Sequence, residues 1–289
     1  MTEVIWQGDA PALRNPILIC GFRGWSDGAG AASMALEAIT RSLDARQLAA
    51  LDPEEFFDFQ ANRPGIRVAD GRVEGIDWHA NTFSVARPAG AERDLVMLDG
   101  PEPNLRWRSF CEGALEVADR LEIHTVLTLG AFIAEVAHTM AVPMTGIASN
   151  SELAGRLGVG MANYQGPTGI VGVLHDALRR REIGSASLWA AVPHYAAAVP
   201  NPKAALALVR KVEGVVGVAV EVSGLEREAE SFEQQVDRAV AANSEIEEMV
   251  RGLEQAQAEI PLGGEEIPNA ETIAKEFEQF LRQRESDSN

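Results

Sequence analysis

The sequence predicts an α/β fold: a mainly parallel sheet with crossover helices, followed by a C-terminal helical extension. Three observations carry this expectation. Short apolar runs that read as buried strands alternate with helical stretches of about 12 to 17 residues, the alternation that builds a parallel sheet. A glycine-rich loop directly after the first apolar run opens a helical pattern, giving a strand–loop–helix start. Far downstream, Leu225, Phe232, Ala239, Ile246 and Leu253 recur every seven residues, with Ala229, Val236, Asn243 and Val250 interleaved, the spacing of an a/d seam.

In chain order, residues 16–20 (PILIC) are apolar and followed by Gly21, the signature of a buried strand. Residues 31–43 read as a helix, with Met34, Ala38 and Ile39 on one face. Residues 51–85 are less regular and are expected to hold an antiparallel hairpin or edge strands. Residues 81–86 alternate, as in a half-buried strand, while 94–98 (DLVML) are almost continuously apolar, as in a sheet covered on both faces. A helix over 105–121, a strand over 125–129, a helix over 168–181, a strand over 186–192 and a helix over 202–212 complete the core, the last with proline in its first turn. Residues 1–222 are thus assigned to the core. Residues 223–289 form the extension: a long helix over about 225–257 with Asn243 inside its seam, a linker over 260–269 and a short helix over about 272–284 with Ile273, Phe277 and Phe280 on one face.

Composition narrows the function classes. The net charge of −18 argues against nucleic acid, whose binding depends on neutralising phosphates. The excess concentrates at the end, where residues 225–289 carry 17 acidic and 6 basic side chains. No apolar run approaches the length of a membrane span, so no membrane association is expected. Residues 1–12 are mixed in character and do not read as an export signal. With two cysteines in apolar segments, Cys20 and Cys111, the expected location is cytoplasmic. Only three lysines occur, none before Lys203, which excludes the Gly-Lys-Ser/Thr loop of P-loop nucleotidases.

The polar motifs fall at the carboxyl ends of predicted strands, where ligands bind in open parallel sheets. They are Gly21–Gly30, Gly100–Trp107, the segment after residue 129 that includes His138, and Pro193-His194-Tyr195. Trp25, Asp27, Gly30, Glu102, Asn104, His138, Thr168 and His194 are therefore the candidate pocket residues. Gly24-Trp25-Ser26-Asp27-Gly28 matches the G-x-S-x-G elbow. It follows the first clear strand, however, so no earlier strand and loop can supply an oxyanion hole. Asp27, Glu102, His138 and His194 are residue types that suit zinc or manganese, but they lack local ligand spacing, and no metal is expected. Gly166 and Gly169 before a helix could cradle an anion through backbone N–H groups, with Arg23 or Arg106 as counter-charge. The loop glycines do not have dinucleotide-fingerprint spacing, and no cofactor is expected. All of these residues also have a structural reading, as turn glycines, core aromatics and polar groups that satisfy backbone at strand ends. No catalytic residue is assigned.

Taken in order, GFRGWSDGAGAA (21–32), DGPEPNLRWRSF (99–110), LGAFIAEVAHT (129–139), YQGPTGIVGVL (164–174), SLWAAVPHY (187–195) and PNPKAALAL (200–208) resemble the proteasome assembly chaperone type-2 family, most of all its actinobacterial branch. The resemblance spans about residues 4–253. It implies a phosphorylase/hydrolase-like α/β core and a homo-oligomer, with proteasome α-subunits as partners. It stresses the Trp25, Asp27, Gly30 set over Ser26. Two departures stand out. Ala137-His138-Thr139-Met140-Ala141 lacks the arginine of the Pro-His-Thr-Arg-Pro motif found in many relatives. The chain also ends Asp287-Ser288-Asn289, without the hydrophobic–tyrosine–any tripeptide that some proteasome-binding factors use to dock. The leading expectation is an interaction protein of the assembly-chaperone kind. The alternative is a ligand-binding protein or enzyme with a pocket at the strand ends.

Overall fold

The computed structural model describes residues 4–258. In chain order the elements are β1 (Val4–Trp6), β2 (Ile17–Arg23), α1 (Ala31–Ser42), β3 (Arg46–Leu51), β4 (Gly65–Ala69), β5 (Arg72–Asp77), β6 (Asn81–Ala86), β7 (Leu95–Pro101), α2 (Trp107–Arg120), β8 (Thr125–Ala134), β9 (Met144–Ala148), α3 (Ser151–Leu157), β10 (Gly160–Met161), α4 (Ile170–Arg180), β11 (Gly184–Pro193), α5 (Pro202–Val216), α6 (Ser223–Ala241) and α7 (Ser244–Ala258).

Nine strands form one sheet in the order β1-β3-β6-β7-β2-β8-β11-β9-β10. Its centre, β7-β2-β8-β11, is parallel throughout, as the continuous apolar runs predict. Both flanks turn antiparallel, at β6–β7 and at β9–β11. Successive residues of a strand face opposite sides, and the two faces feed two cores. Ile17, Ile19, Leu95 and Met97 pack with α1 and α5, whereas Leu18, Cys20, Val96 and Leu98 pack with α2 and α4. The result is a three-layer α/β/α arrangement. The hairpin expected within 51–85 is β4–β5, a separate two-stranded ribbon outside the main sheet.

The structure corrects the long helix expected over 225–257. The chain breaks after Ala241, and Asn243 is exposed rather than buried in a seam. Its side-chain oxygen accepts from the N–H of Glu245 at 3.0 Å and of Ile246 at 3.4 Å, capping α7. Asparagine competes with the helical backbone through such local bonds, which makes it a helix starter here instead of a register-setting core residue. The apolar stripe of α6 runs Leu225, Ala229, Phe232, Val236 and Val240, all buried. It follows the straight-helix period, leaving Ala239 outside. Phe232, Val236, Val240 and Val250 pack on Ala137 and Ala196 of the chain's own core, so the seam is spent within the molecule. The expected linker over 260–269 and helix over 272–284 lie outside the described residues.

Candidate functional site

The carboxyl ends of β2, β7, β8 and β11 lie at one end of the sheet, and most candidate residues sit on the segments that leave them, with Gly166, Thr168 and Gly169 on the turn between β10 and α4. At β2, the chain turns through Gly24 into Trp25. Glu102, just past β7, reaches under this turn: its Oε1 accepts the N–H of Ile170 at 2.7 Å and its Oε2 accepts the N–H of Trp25 at 3.3 Å. Glu102 therefore caps the N-terminus of α4 while tethering the Trp25 loop. Gly169 is needed at this junction, because a Cβ there would lie 2.5 Å from Glu102 Oε1 and 3.1 Å from the Trp25 ring. The structure thus brings together Trp25, Glu102 and Gly169.

Asp27 and Gly30 serve the neighbouring helix. Asp27 Oδ1 accepts from Ala32 at 2.8 Å and Ser33 at 3.1 Å, satisfying N–H groups at the start of α1. Gly30 adopts φ 64°, a left-handed value that suits glycine at this entry point. Carboxylates at helix N-termini are favoured by the helix dipole. Here the chain's own side chains occupy the two helix starts that could have received an external anion.

The remaining candidates are engaged locally. Arg23 pairs with Asp99 at 2.9 Å, and Arg106, at φ 54°, pairs with Glu55 at 3.0 Å. Asn104 Oδ1 accepts from the Asp58 N–H and the Asn62 amide, pinning the loop after β3. Tyr164 closes its turn over Gly166 through a 2.6 Å bond to the Pro167 carbonyl. Thr168 is exposed and reaches only the Gly169 carbonyl, at 3.4 Å. His194 is exposed, its ring edge-on to Tyr195. Among the described residues, no hydrogen bond joins any two of Asp27, Glu102, Thr168 and His194, nor do three or more potential metal ligands gather at one point.

His138 lies elsewhere than a strand-end pocket. It is 3% exposed and covered by the C-terminal helices. Its ring joins the Tyr195 hydroxyl at 2.8 Å through Nδ1 and Asp237 of α6 at 3.0 Å through Nε2. Its carbonyl accepts from Lys203 Nζ, which also pairs with Glu233 of α6. With α6–α7 seated there, the helical hairpin packs on the segments that follow β8 and β11, at Ala137, His138 and Ala196. No local pattern marks Tyr195, Lys203 and Asp237 as partners of His138, because their meeting depends on the tail folding back. Nor does the sequence mark His175 of α4, whose ring bridges Thr128 at 3.0 Å and Ser185 at 3.1 Å inside the sheet–helix layer. Burial lowers the His175 pKa to about 4.

The elbow serine is not poised for nucleophilic attack. Ser26 is 1% exposed and its Oγ has no hydrogen-bond partner, whereas an activated serine requires an adjacent base. The thiols are equally inert: burial raises Cys20, and burial also pushes Cys111 up to about 12. A cleft of about 440 Å³, lined by His124, Thr125, Asn150, Glu152, Arg156 and Arg179 among others, opens at the opposite end of β8 and β11 and holds none of the candidate residues.

The carboxyl end instead presents large apolar side chains to solvent. Trp25, Leu105, Ile133, Tyr164 and Val199, one from each segment reaching this end, are between 51% and 62% exposed. Of the polar groups there, Asp27 and Glu102 hold helix starts while Thr168 and His194 stay exposed without converging, and the large apolar groups are turned outward. Aromatic and aliphatic side chains left in water beside a rigid frame suit protein docking.

A family model described as the PAC2 family matches residues 21–240. The fold is similar to that of a PAC2 family protein from Streptomyces avermitilis, 39% identical, with 81% of this chain and 99% of that chain covered and a TM-score of 0.75. It is similar also to a Mycobacterium tuberculosis proteasome-assembly chaperone homologue, 40% identical, with 81% and 99% covered and a TM-score of 0.75. At 17% identity, an archaeal proteasome activator from Pyrococcus furiosus shares the fold, with 82% and 98% covered and a TM-score of 0.66. Among curated proteins no match is found.

Proposed function

We propose a proteasome-assembly role for this chain, which belongs to the PAC2 family. In this reading it is a non-catalytic interaction protein that binds proteasome α-subunits or their precursors with the carboxyl end of its sheet. The observation that carries the reading is the inversion of polarity at that end: Asp27 and Glu102 are consumed by helix N–H groups, while Trp25, Leu105, Ile133, Tyr164 and Val199 stand in solvent. An active site needs the opposite, convergent polar groups with free valences. Membership supports the choice of partner, since a 40% identical relative is described as a proteasome-assembly chaperone homologue.

The test is direct capture. Immobilised protein should retain purified α-subunits under conditions where an established assembly factor retains them. Absence of binding with that positive control in place would sink the proposal.

A further inference from the structure

The β4–β5 ribbon joins the sheet at the carboxyl end of β7, where Asn62 bonds Asn104 and Asn81 bonds the Pro101 carbonyl. Its two faces differ. Ile66 pairs with Ile76 and Val68 with Val73, the register shifting between Arg67 and Val68. The shift takes up one extra residue on β5, Glu74, which keeps all four apolar side chains on one face. Arg67 crosses over Gly75 to pair with Asp77 on the other. The four apolar residues are 43–63% exposed, and Trp78, next on the same alternation, is 51% exposed. A two-stranded hairpin is marginal in water unless something packs on its apolar face, and no other described element packs extensively against this one.

We propose that a second copy of the chain packs on this face, ribbon on ribbon. Area, charge and symmetry select that occupant. The five exposed side chains offer about 500 Å² on each copy, so a symmetric pair reaches about 1,000 Å², the size at which a contact becomes a specific interface. Within residues 63–77, Arg63, Arg67 and Arg72 balance Asp70, Glu74 and Asp77, so the ribbon is neutral on a chain of net charge −18. A neutral surface has no field to select a charged partner. The charge elsewhere on the chain is screened over a Debye length of about 8 Å, which leaves a contact between two neutral ribbons unopposed. A two-fold axis sets this face against an identical one, so every apolar side chain meets apolar surface without a second kind of partner. Stacked sheet faces of this kind interdigitate their side chains about 10 Å apart. The homo-oligomer expected from the sequence thereby gains a defined surface. The inference does not depend on the proteasome reading.

Sedimentation of the full-length chain tests it. The wild type should associate reversibly from its 31.1 kDa monomer as concentration rises, and more tightly at high salt, which screens the net charge. Ile66→Glu with Val73→Glu should weaken association about tenfold or more, with the thermal unfolding of the chain unchanged. Ala69→Glu with Arg72→Ala adds the same charge on the opposite face and should leave association within severalfold of the wild type. A wild type that stays monomeric up to its solubility limit, an assembly that survives Ile66→Glu with Val73→Glu, or equal losses in the two variants would each overturn the proposal. Hydrogen exchange supplies a check without substitutions: protection over 65–77 should rise with protein concentration. Protection that does not change with concentration, or that arises only when proteasome α-subunits are added, counts against a second copy.

Discussion

Ser26 and His175 illustrate how single side chains report on the chemistry of this fold. The Ser26 hydroxyl is buried without a partner, so it contributes desolvation cost and no compensating bond. Ser26→Ala should therefore leave stability unchanged or raise it by about 1 kcal/mol, read as the urea midpoint; a loss of that size would show that the hydroxyl has a partner after all. His175 gives the fold a pH dependence. Its pKa is near 6.5 in an unfolded chain and about 4 here, because burial disfavours the charged ring. Between those values the unfolded state binds more protons, so stability is full above pH 6.5 and falls as pH drops toward 4. His175→Gln should remove roughly 1–3 kcal/mol of that slope. Denaturant curves at pH 7 and pH 4 for both proteins measure it, and parallel losses would refute the assignment.

At the scale of elements, the parallel core was legible because period and continuity of apolar residues decide it. The run DLVML reads as a strand covered on both faces, and β7 pairs in parallel with β2 over Leu95–Pro101. β1, β3, β9, β10 and α3 carry no comparable pattern in the sequence. Most of them are short or lie on the flanks, where the pattern is set by neighbours rather than by the segment itself. The tail shows the opposite failure, a strong pattern read too literally. Heptad spacing over 225–253 fits a long seam, yet Asn243 caps a new helix and the stripe closes on Ala137 and Ala196. Asn243→Ala removes that cap and should cost about 1 kcal/mol, with faster hydrogen exchange confined to the first turn of α7. Exchange spreading evenly through α6 and α7 would instead indicate one continuous helix. The positions of the candidate residues were legible for a similar reason, since strand ends are visible in sequence. Their roles were not. Whether Glu102 faces a ligand or the N–H of Ile170 depends on where α4 begins in space, which no local pattern records.

For the whole molecule, both ends of the sheet could serve function, and the carboxyl end has been divided. The α6–α7 hairpin packs on the segments after β8 and β11 through His138, Lys203 and Phe232, while Trp25 and Leu105 beside β2 and β7 are displayed to solvent. An enzyme reading requires free polar groups at that end, and a docking reading requires the apolar ones. These separate cleanly in one titration: purified α-subunit against wild-type protein and against the Trp25→Ala, Leu105→Ala double variant, with folding verified by thermal unfolding. Truncating central interface aromatics typically costs about 2 kcal/mol or more, so the account predicts that the variant keeps its fold and binds at least tenfold more weakly. Equal affinities for the folded variant and the wild type would contradict it.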